Sequence, residues 1–210
     1  MRLFLLGATG RTGSQIVDLA LARGHELTAY VRSPNKITRR DEKLSVVHGD
    51  PLRVEQLVRA LPGHDAVLSA LGPSMREAFR PSTLLAECAA STVAAMQTGG
   101  VGRLAIVSAA PLFPNRDLRF TFFRWLLRHH LRDLDAMEAV VRATPFDWTI
   151  ARPPRLVDAA DDRYRSQRDA FPPGRLSMSF RAVAAFLLDC IEQGRHARAI
   201  VGLAGVGATR

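Results

Sequence analysis

A short apolar run followed at once by three regularly spaced glycines constrains the fold of this chain more than any other part of its sequence. Residues 3–6 are apolar, and Gly7, Gly10 and Gly13 follow directly. In a strand–turn–helix unit, the first glycine allows the tight turn, the second lets the backbone approach a phosphate, and the third lets the helix pack closely against the strand. The N–H groups and positive end of such a helix favour a pyrophosphate. The spacing predicts a dinucleotide-binding turn, with an ordinary structural glycine turn as the alternative.

The residues after the turn support the dinucleotide interpretation. An apolar face of helical period, which includes Ile16, Val17 and Ala20, predicts a helix over residues 11–23 that ends at Gly24. Hydroxyl groups within the turn add hydrogen-bond donors. We therefore predict that these residues of the turn bind the cofactor: Gly7, Thr9, Gly10, Arg11, Thr12 and Gly13.

The end of the next predicted strand, residues 27–31, indicates which dinucleotide binds. Glu26 lies at the entry end of this strand, whereas ligands bind outside the carboxyl ends of a parallel sheet. Arg32 stands at the carboxyl end, and Lys36 follows it. A guanidinium pairs well with the 2′-phosphate of NADP, which a carboxylate would repel. The sequence thus predicts NADPH in preference to NADH, with a solvated loop arginine as the alternative for Arg32.

Composition narrows the class of protein. The chain has 210 residues, of which 47% are hydrophobic, and this predicts one globular domain. No apolar run approaches a membrane span and the start of the chain leaves no room for a signal peptide, so we expect a soluble cytoplasmic protein. The net charge of +9 comes from scattered arginines without interleaved aromatics, which does not favour a nucleic-acid partner. Cys88 and Cys190 lie in apolar helical patterns and are expected to be buried and inert.

Alternating strand-like and helical patterns predict an α/β fold with a Rossmann-like doubly wound parallel sheet, in a single domain over residues 1–210. The predicted strands are 3–6, 27–31, 44–48, 66–69, 104–107, 148–151 and 199–203. The predicted helices are 11–23, 52–60, 82–98, about 118–143 and 180–191, with Asp50 and Pro51 marking the start of the second. Residues 151–180 are polar and broken by prolines, and they are predicted to form an irregular flap on the substrate side.

The chain resembles the atypical short-chain dehydrogenase/reductase group that contains flavin reductase/biliverdin reductase B and the NmrA-like NADH-flavin reductases. The resemblance covers nearly the whole length, and the first and last of the matching motifs are the most specific. These motifs are Gly7 to Gly13, Tyr30 to Ser33, His48 to Asp50, Asp65 to Gly72, Val107 to Ala109 and Asp147 to Pro154. The resemblance implies NADP as cofactor, with Asp50 and Pro51 beside the adenine and with Ala70, Leu71 and Gly72 along the cofactor. It also implies flat conjugated substrates held over the nicotinamide.

The residues that ordinary short-chain dehydrogenases use for proton transfer are missing. Those enzymes carry a tyrosine with a lysine four positions later. In this chain Tyr164 is followed at that spacing by Arg168, and no lysine occurs after Lys43. Interconversion of alcohols and ketones by the usual route is therefore not predicted.

Two other residues are candidates for the catalytic site. Ser108 follows the fifth predicted strand and resembles the family's serine near the site of hydride transfer, where it would also contact the cofactor. Its alternative role is to satisfy a backbone group at the end of a strand. Arg155 occupies the position where the family's flavin and biliverdin reductases have a histidine. Since a guanidinium cannot donate a proton at neutral pH, Arg155 is predicted to bind a carboxylate or phosphate of the substrate.

The remaining polar and aromatic residues give weaker predictions. His129 and His130 are adjacent and do not form a metal-binding pair on a helix, and no metal site is predicted. Asp133, Asp135 and Glu138 are predicted to form a solvated helix face. The other histidines are expected at the surface or at strand ends: His25, His48, His64 and His196. Five aromatic residues predict either an apolar wall for a flat substrate or a seam within a helix or homodimer: Phe113, Phe120, Phe122, Phe123 and Trp125.

Two principal functions follow from these observations. The first is an NADPH-dependent reductase that transfers hydride to a flat acceptor such as a flavin or a quinone. The second is a non-catalytic NADP-binding redox sensor of the NmrA-like type, which the lack of a secure proton donor motivates. A sugar-nucleotide epimerase or dehydratase is disfavoured because the tyrosine–lysine pair is missing and the C-terminal part is short.

Overall fold

The structure is a computed structural model that describes residues 1–73, 77–114 and 126–206. Strands and helices alternate along most of these ranges. The strands are β1 Arg2–Leu6, β2 Glu26–Val31, β3 Leu44–His48, β4 Ala66–Ser69, β5 Arg103–Val107, β6 Asp147–Arg152, β7 Arg155–Val157, β8 Tyr164–Arg168, β9 Ser177–Ser179 and β10 Ala199–Gly205. The α-helices are α1 Arg11–Ala22, α2 Val54–Ala60, α3 Leu84–Gly99, α4 Arg128–Arg142 and α5 Phe180–Gln193.

The main sheet has the strand order β3-β2-β1-β4-β5-β6-β10-β8. Its neighbouring strands pair in parallel except for β8, which is antiparallel to β10. The chain builds outward from β1 to β3, then crosses back and builds in the opposite direction from β4. Ligands of such sheets bind outside the carboxyl ends of the strands, at the point where the order reverses. The predicted α/β fold with a doubly wound parallel sheet in one domain is confirmed.

Helices cover both faces of the sheet because its central strands are apolar on both faces. In β1, Leu3 and Leu5 pack in a cluster with residues of α1 and α5, whereas Phe4 and Leu6 pack in a cluster with residues of α2, α3 and α4. These four side chains are at most 1% exposed. Burial on both faces explains why the first strand is a continuous apolar run rather than an alternation of apolar and polar residues.

The start of α2 differs from the prediction. The other strand and helix ends that the structure describes lie within a residue or two of those predicted. The part of the long predicted helix before residue 126 lies outside the described residues. Asp50 and Pro51 do not cap α2. The Asp50 carboxylate accepts the N–H of Leu52 at 3.1 Å and its carbonyl accepts the N–H of Arg53 at 2.9 Å, so these residues form a separate turn. Arg53 is the N-cap, and the helix begins at Val54.

The region after β6 is more regular than predicted. It contains β7, β8 and β9, of which β7 and β9 pair in a separate parallel two-stranded sheet. β8 extends the main sheet as its outermost strand, and its polar sequence fits an edge strand that exposes Arg165 and Arg168. The prediction of an irregular segment was therefore wrong, while the substrate-flap role of residues 151–180 stays a prediction.

Both cysteines are buried and free, as expected. Burial raises the pKa of the Cys88 and Cys190 thiols to about 12, which keeps them protonated and unreactive near neutral pH. Within the described ranges, no helix has the length and apolar character needed to cross a membrane.

Candidate functional site

The glycine turn between β1 and α1 is closed by contacts that leave no room for a side chain at two of its positions. Gly7 has a φ of 84°, and a Cβ there would lie 2.6 Å from the carbonyl oxygen of Ala70. A Cβ at Gly13 would lie 2.0 Å from the carbonyl oxygen of Gly7. Gly7 thus allows the turn and its contact with the end of β4, and Gly13 allows α1 to pack on the turn, as the sequence predicts.

The turn presents the start of α1 at the carboxyl edge of the sheet. The first helical hydrogen bond runs from the N–H of Ser14 to the carbonyl of Gly10 at 2.8 Å. The preceding N–H groups of Arg11, Thr12 and Gly13 consequently have no acceptor within the helix. Gly10 is the N-cap and carries no side chain to satisfy them. Thr9, Gly10 and Arg11 are exposed, whereas the Thr12 side chain is buried.

The loop after β4 lies against this turn. The N–H of Ala70 donates to the carbonyl of Leu6 at 3.0 Å, which fixes the loop beside Gly7. Ala70 and Leu71 are half-buried and Gly72 is exposed. The structure therefore brings two predicted groups of cofactor-binding residues together at the point where the strand order reverses.

The loops after β2 and β3 form the next part of the same edge. Arg32 follows the last residue of β2 and is exposed, as is Lys36, whereas Glu26 begins β2 at the opposite edge. The N–H of Gly49 donates to the carbonyl of Val31 at 3.0 Å, which places the loop carrying Asp50 and Pro51 beside the end of β2.

Tyr30 explains the glycine in the sequence His48 to Asp50. A Cβ at Gly49 would lie 2.1 Å from the Tyr30 hydroxyl oxygen, so the ring requires a glycine in the loop above it. The Tyr30 hydroxyl donates to the Asp50 carbonyl at 3.3 Å. Burial and the nearby Asp50 carboxylate raise the pKa of Tyr30. Tyr30 therefore supports the loop beneath Asp50, a role that the sequence reasoning did not assign to it.

Ser108 joins a buried ion pair at the carboxyl end of β5. Its hydroxyl donates to Oε1 of Glu138 at 2.5 Å. Arg152, the last residue of β6, donates to the same carboxylate through Nε at 2.9 Å and Nη2 at 2.6 Å. The exposed fractions of Ser108, Glu138 and Arg152 are 6%, 1% and 8%. The prediction that Glu138 lies on a solvated face was wrong, since the helical pattern alone does not show that an arginine at the end of a strand faces it.

The other acidic residues of α4 divide between burial and solvent. Asp133 is buried and accepts the N–H groups of Leu85 at 3.1 Å and Ala86 at 3.0 Å, so it caps the start of α3. Its predicted exposure was wrong because the helical pattern does not show that the start of α3 packs against it. Asp135 is exposed, as predicted.

Phe113 is the member of the predicted aromatic group that lies within the described residues. Phe113 is buried, and the Arg152 guanidinium carbon lies 4.7 Å from the centre of its ring. The other members of the aromatic group lie outside the described residues: Phe120, Phe122, Phe123 and Trp125. His25 is buried between the chain's amino group and Glu192, and it directly precedes β2, which is the strand-end position predicted as one of its two alternatives. Among the described residues no group of three or more histidine, cysteine or acidic side chains is arranged to hold a metal ion.

The region after β6 carries Arg155 and contacts Arg11 at the start of α1. Arg155 begins β7 and is exposed, and in the described part of the chain its side chain has no hydrogen-bond or ion-pair partner. The Arg11 guanidinium lies 3.6 Å from the Asp158 carboxylate and 4.4 Å from the centre of the Phe180 ring. A cavity of about 150 Å³ lies beside Arg11 and Phe180. These contacts place the region after β6 against the start of α1.

Tyr164 is the first residue of β8, the outermost strand of the main sheet. Its hydroxyl donates to the Asp189 carboxylate of α5, which also accepts a hydrogen bond from Arg23 at 2.8 Å. Burial and the Asp189 hydrogen bond raise the pKa of Tyr164. The Tyr164 hydroxyl proton thus forms a structural hydrogen bond. Tyr164 also has no lysine four positions later, so it does not form the usual tyrosine–lysine pair. A larger cavity of about 390 Å³, lined in part by Arg2, Glu26 and His64, opens at the opposite edge of the sheet.

The reversal of strand order, the glycine turn and the uncapped start of α1 define a dinucleotide-binding protein of the Rossmann type. The sequence profile of the NAD(P)H-binding family matches residues 7–194, and the chain belongs to that family. The matched range begins at the first glycine of the turn and covers most of the chain. It confirms the resemblance to atypical short-chain dehydrogenases/reductases.

Two curated relatives and one solved structure illustrate this assignment. The chain is 29% identical to oxidoreductase stcQ of Emericella nidulans over 91% of this chain and 78% of that protein. It is 26% identical to the uncharacterised protein YwnB of Bacillus subtilis over 93% of this chain and 94% of the relative. A short-chain dehydrogenase/reductase from Veillonella parvula in complex with NADP is similar in fold, with a TM-score of 0.79 and 20% identity over 100% of this chain and 96% of that one. The chain is thus an NAD(P)-binding, oxidoreductase-like protein.

Proposed function

We propose that this protein is an NADPH-dependent reductase that transfers hydride to a flat conjugated acceptor such as a flavin or a quinone. The observation that carries the proposal is the shared edge of the sheet, where the glycine turn contacts the loop after β4 through Gly7 and Ala70. When bound, NADPH supplies the hydride at its nicotinamide ring. The uncapped N–H groups of Arg11, Thr12 and Gly13 would bind the pyrophosphate, with the exposed Thr9 hydroxyl beside them.

The preference for NADPH rests on the charges around the end of β2. Arg32 and Lys36 are exposed beyond the carboxyl end of the strand, and the acidic residue Glu26 lies at its other end. The two cations would attract the 2′-phosphate that distinguishes NADP from NAD. Asp50 and Pro51 would border the adenine, and the loop from Ala70 to Gly72 would follow the cofactor toward Ser108.

The choice of acceptor rests on which residues are free to act. The Tyr164 hydroxyl donates a hydrogen bond to Asp189, and the Ser108 hydroxyl donates one to Glu138, so neither proton is available to a substrate. A flavin or quinone suits such a site because water can supply the proton that accompanies hydride transfer. Arg155, exposed at the start of β7, would bind a phosphate or carboxylate of the acceptor. The oxidoreductase relative does not favour the alternative of a non-catalytic sensor.

The test is the loss of NADPH absorbance with purified protein, run beside NADH, with FMN or a neutral quinone as acceptor. We expect protein-dependent oxidation that is faster with NADPH. Arg155→Ala should raise KM for FMN about tenfold and leave KM for the quinone unchanged, because only FMN carries a phosphate. Arg163→Ala, at an exposed arginine in the same region, is the control. Tight NADPH binding without oxidation of any acceptor would overturn the reductase and support the sensor.

A further inference from the structure

The ion pair between Glu138 and Arg152 fixes a carboxylate beside Ser108. Both guanidinium contacts are short, and together they use both carboxylate oxygens, which defines the orientation of the Glu138 side chain. The Arg152 guanidinium is held in turn over the ring of Phe113. Burial of all three side chains limits their freedom to rearrange.

This arrangement dictates the direction of the Ser108 hydrogen bond. A carboxylate paired with a guanidinium offers only acceptor atoms, so the Ser108 hydroxyl must donate its single proton to Glu138. The Ser108 backbone N–H is already bonded to the carbonyl of Ala151 at 2.7 Å. The Ser108 side chain therefore has only acceptor lone pairs left for a ligand.

We propose that Glu138 and Arg152 are positioning residues that make Ser108 a hydrogen-bond acceptor for the carboxamide N–H₂ of the bound nicotinamide. The inference rests on the proposed function, which places the nicotinamide beside Ser108. Ser108 follows β5, the strand that pairs with β4, and so it shares an edge with the loop that contacts the glycine turn. A serine held in this way favours a ligand with an N–H at this point and leaves a ligand with only acceptor atoms unpaired.

The inference is tested with a cofactor analogue in which an acetyl group replaces the carboxamide, 3-acetylpyridine adenine dinucleotide phosphate. The analogue keeps the carbonyl oxygen and lacks the N–H donors. We expect the wild-type protein to bind NADP more tightly than the analogue, by about five- to tenfold in Kd. The measured quantity is the Kd of the analogue divided by the Kd of NADP. Ser108→Ala should lower this ratio to a value close to one.

The role of Glu138 is separated from general stability by a matched pair of variants. Glu138→Gln places an amide N–H₂ against Arg152 or Ser108, which disturbs the donor–acceptor pattern and should lower the ratio in the same direction as Ser108→Ala. Asp133→Asn changes a second buried carboxylate of α4, one that bonds the backbone of α3 instead of Ser108. It should lower stability and leave the ratio of Kd values unchanged.

A double variant provides a second test in case Glu138→Gln does not fold. Glu138→Leu combined with Arg152→Met removes both charges together, and buried ion pairs commonly tolerate such replacement. This variant frees the Ser108 proton and should also lower the ratio.

The outcomes distinguish the inference from the function on which it rests. Failure of the wild-type protein to bind NADPH would overturn the proposed function. NADPH binding with a Kd ratio that Ser108→Ala leaves unchanged would overturn the inference and leave the reductase proposal standing. A ratio that depends on Ser108 but is unaffected in every folded Glu138 variant would overturn the positioning role.

Discussion

At the scale of single residues, the candidate site depends on three glycines at positions where a side chain would not fit. Gly7 and Gly13 have no space for a Cβ because the turn, the end of β4 and the start of α1 meet there. Gly49 is required for a different reason, since the Tyr30 ring occupies the space that its side chain would need. These close approaches bring two predicted cofactor-binding loops into contact.

Gly13→Ala should unfold the protein more easily and weaken cofactor binding. The new Cβ would lie 2.0 Å from the Gly7 carbonyl oxygen, so α1 must move away from the turn. We expect a loss of about 3 kcal/mol in the free energy of unfolding, measured by urea denaturation. Gly102→Ala, where a Cβ would meet open space, is the control and should change stability little. Equal effects of the two substitutions would contradict the packing account.

Arg32→Ala should weaken binding of NADPH more than binding of NADH. The lost charge-assisted contact with the 2′-phosphate corresponds to about 1–3 kcal/mol, or a rise in Kd of about five- to 150-fold for NADPH alone. Isothermal titration with both cofactors measures this difference. Arg142→Ala removes an exposed arginine at the end of α4 and serves as the control. A similar loss for both cofactors would refute the 2′-phosphate assignment.

At the scale of secondary-structure elements, α4 shows how one helix takes different roles along its length. Asp133 caps the start of α3, Asp135 faces solvent, and Glu138 holds Ser108 and Arg152. The three carboxylates are close in sequence, but the elements packed against the helix give each a different environment. α4 thereby connects the fold of α3 to the geometry of the candidate site.

Asp133→Ala should destabilise the protein through the start of α3. Its two hydrogen bonds to the N–H groups of Leu85 and Ala86 are lost, and no serine or threonine cap replaces them because the N-cap Thr83 makes no capping hydrogen bond. We expect a decrease of about 1–2 kcal/mol in the free energy of unfolding. Asp135→Ala, on the exposed face of the same helix, should cost much less. If both variants unfold at the same urea concentration, the capping role is wrong.

The contact between β8 and α5 should contribute less to stability at alkaline pH. Burial and the Asp189 hydrogen bond raise the pKa of Tyr164, so the folded protein holds this proton after the unfolded chain has lost it. Stability from this contact is therefore complete below the ordinary tyrosine pKa of about 10 and declines as the pH rises above it. Tyr164→Phe should be less stable than the wild type by about 1 kcal/mol near neutral pH, and the difference should narrow at about pH 11. Urea denaturation at the two pH values measures it, and a constant difference would exclude this linkage.

At the scale of the whole molecule, the strand order brings distant parts of the chain to one edge. The glycine turn, the loops after β2, β3 and β4, and Ser108 after β5 all follow the carboxyl ends of parallel strands. The region after β6 meets the same edge through the contacts of Arg11 with Asp158 and Phe180. A cofactor bound there would contact many elements at once.

NADPH should therefore stabilise the entire fold. A ligand that binds only the folded state at a hundredfold excess over its Kd adds about 2.7 kcal/mol to the free energy of unfolding. Thermal unfolding should shift upward with NADPH and shift less with the same concentration of NADH. A melting temperature that neither cofactor changes would exclude tight binding of either.

The sequence by itself determined the fold class and the outline of the candidate site. Local patterns were sufficient there, because a strand, a glycine turn and a helix are adjacent in the chain and parallel strands place their carboxyl ends together. The prediction of Arg32 at the carboxyl end of β2 and Glu26 at its other end needed only the direction of one strand.

Tertiary structure alone decided the environment of the charged and polar side chains. Glu138 and Asp133 lie among arginines on one helix, a pattern that predicts solvent exposure, and they are buried because Arg152 and the start of α3 are packed against them. The order of β8 likewise depends on pairing with β10, which comes more than thirty residues after the start of β8. Burial and pairing between residues far apart in the chain are properties of the packed molecule, and a local pattern of residue types carries no information about which distant group will provide the partner.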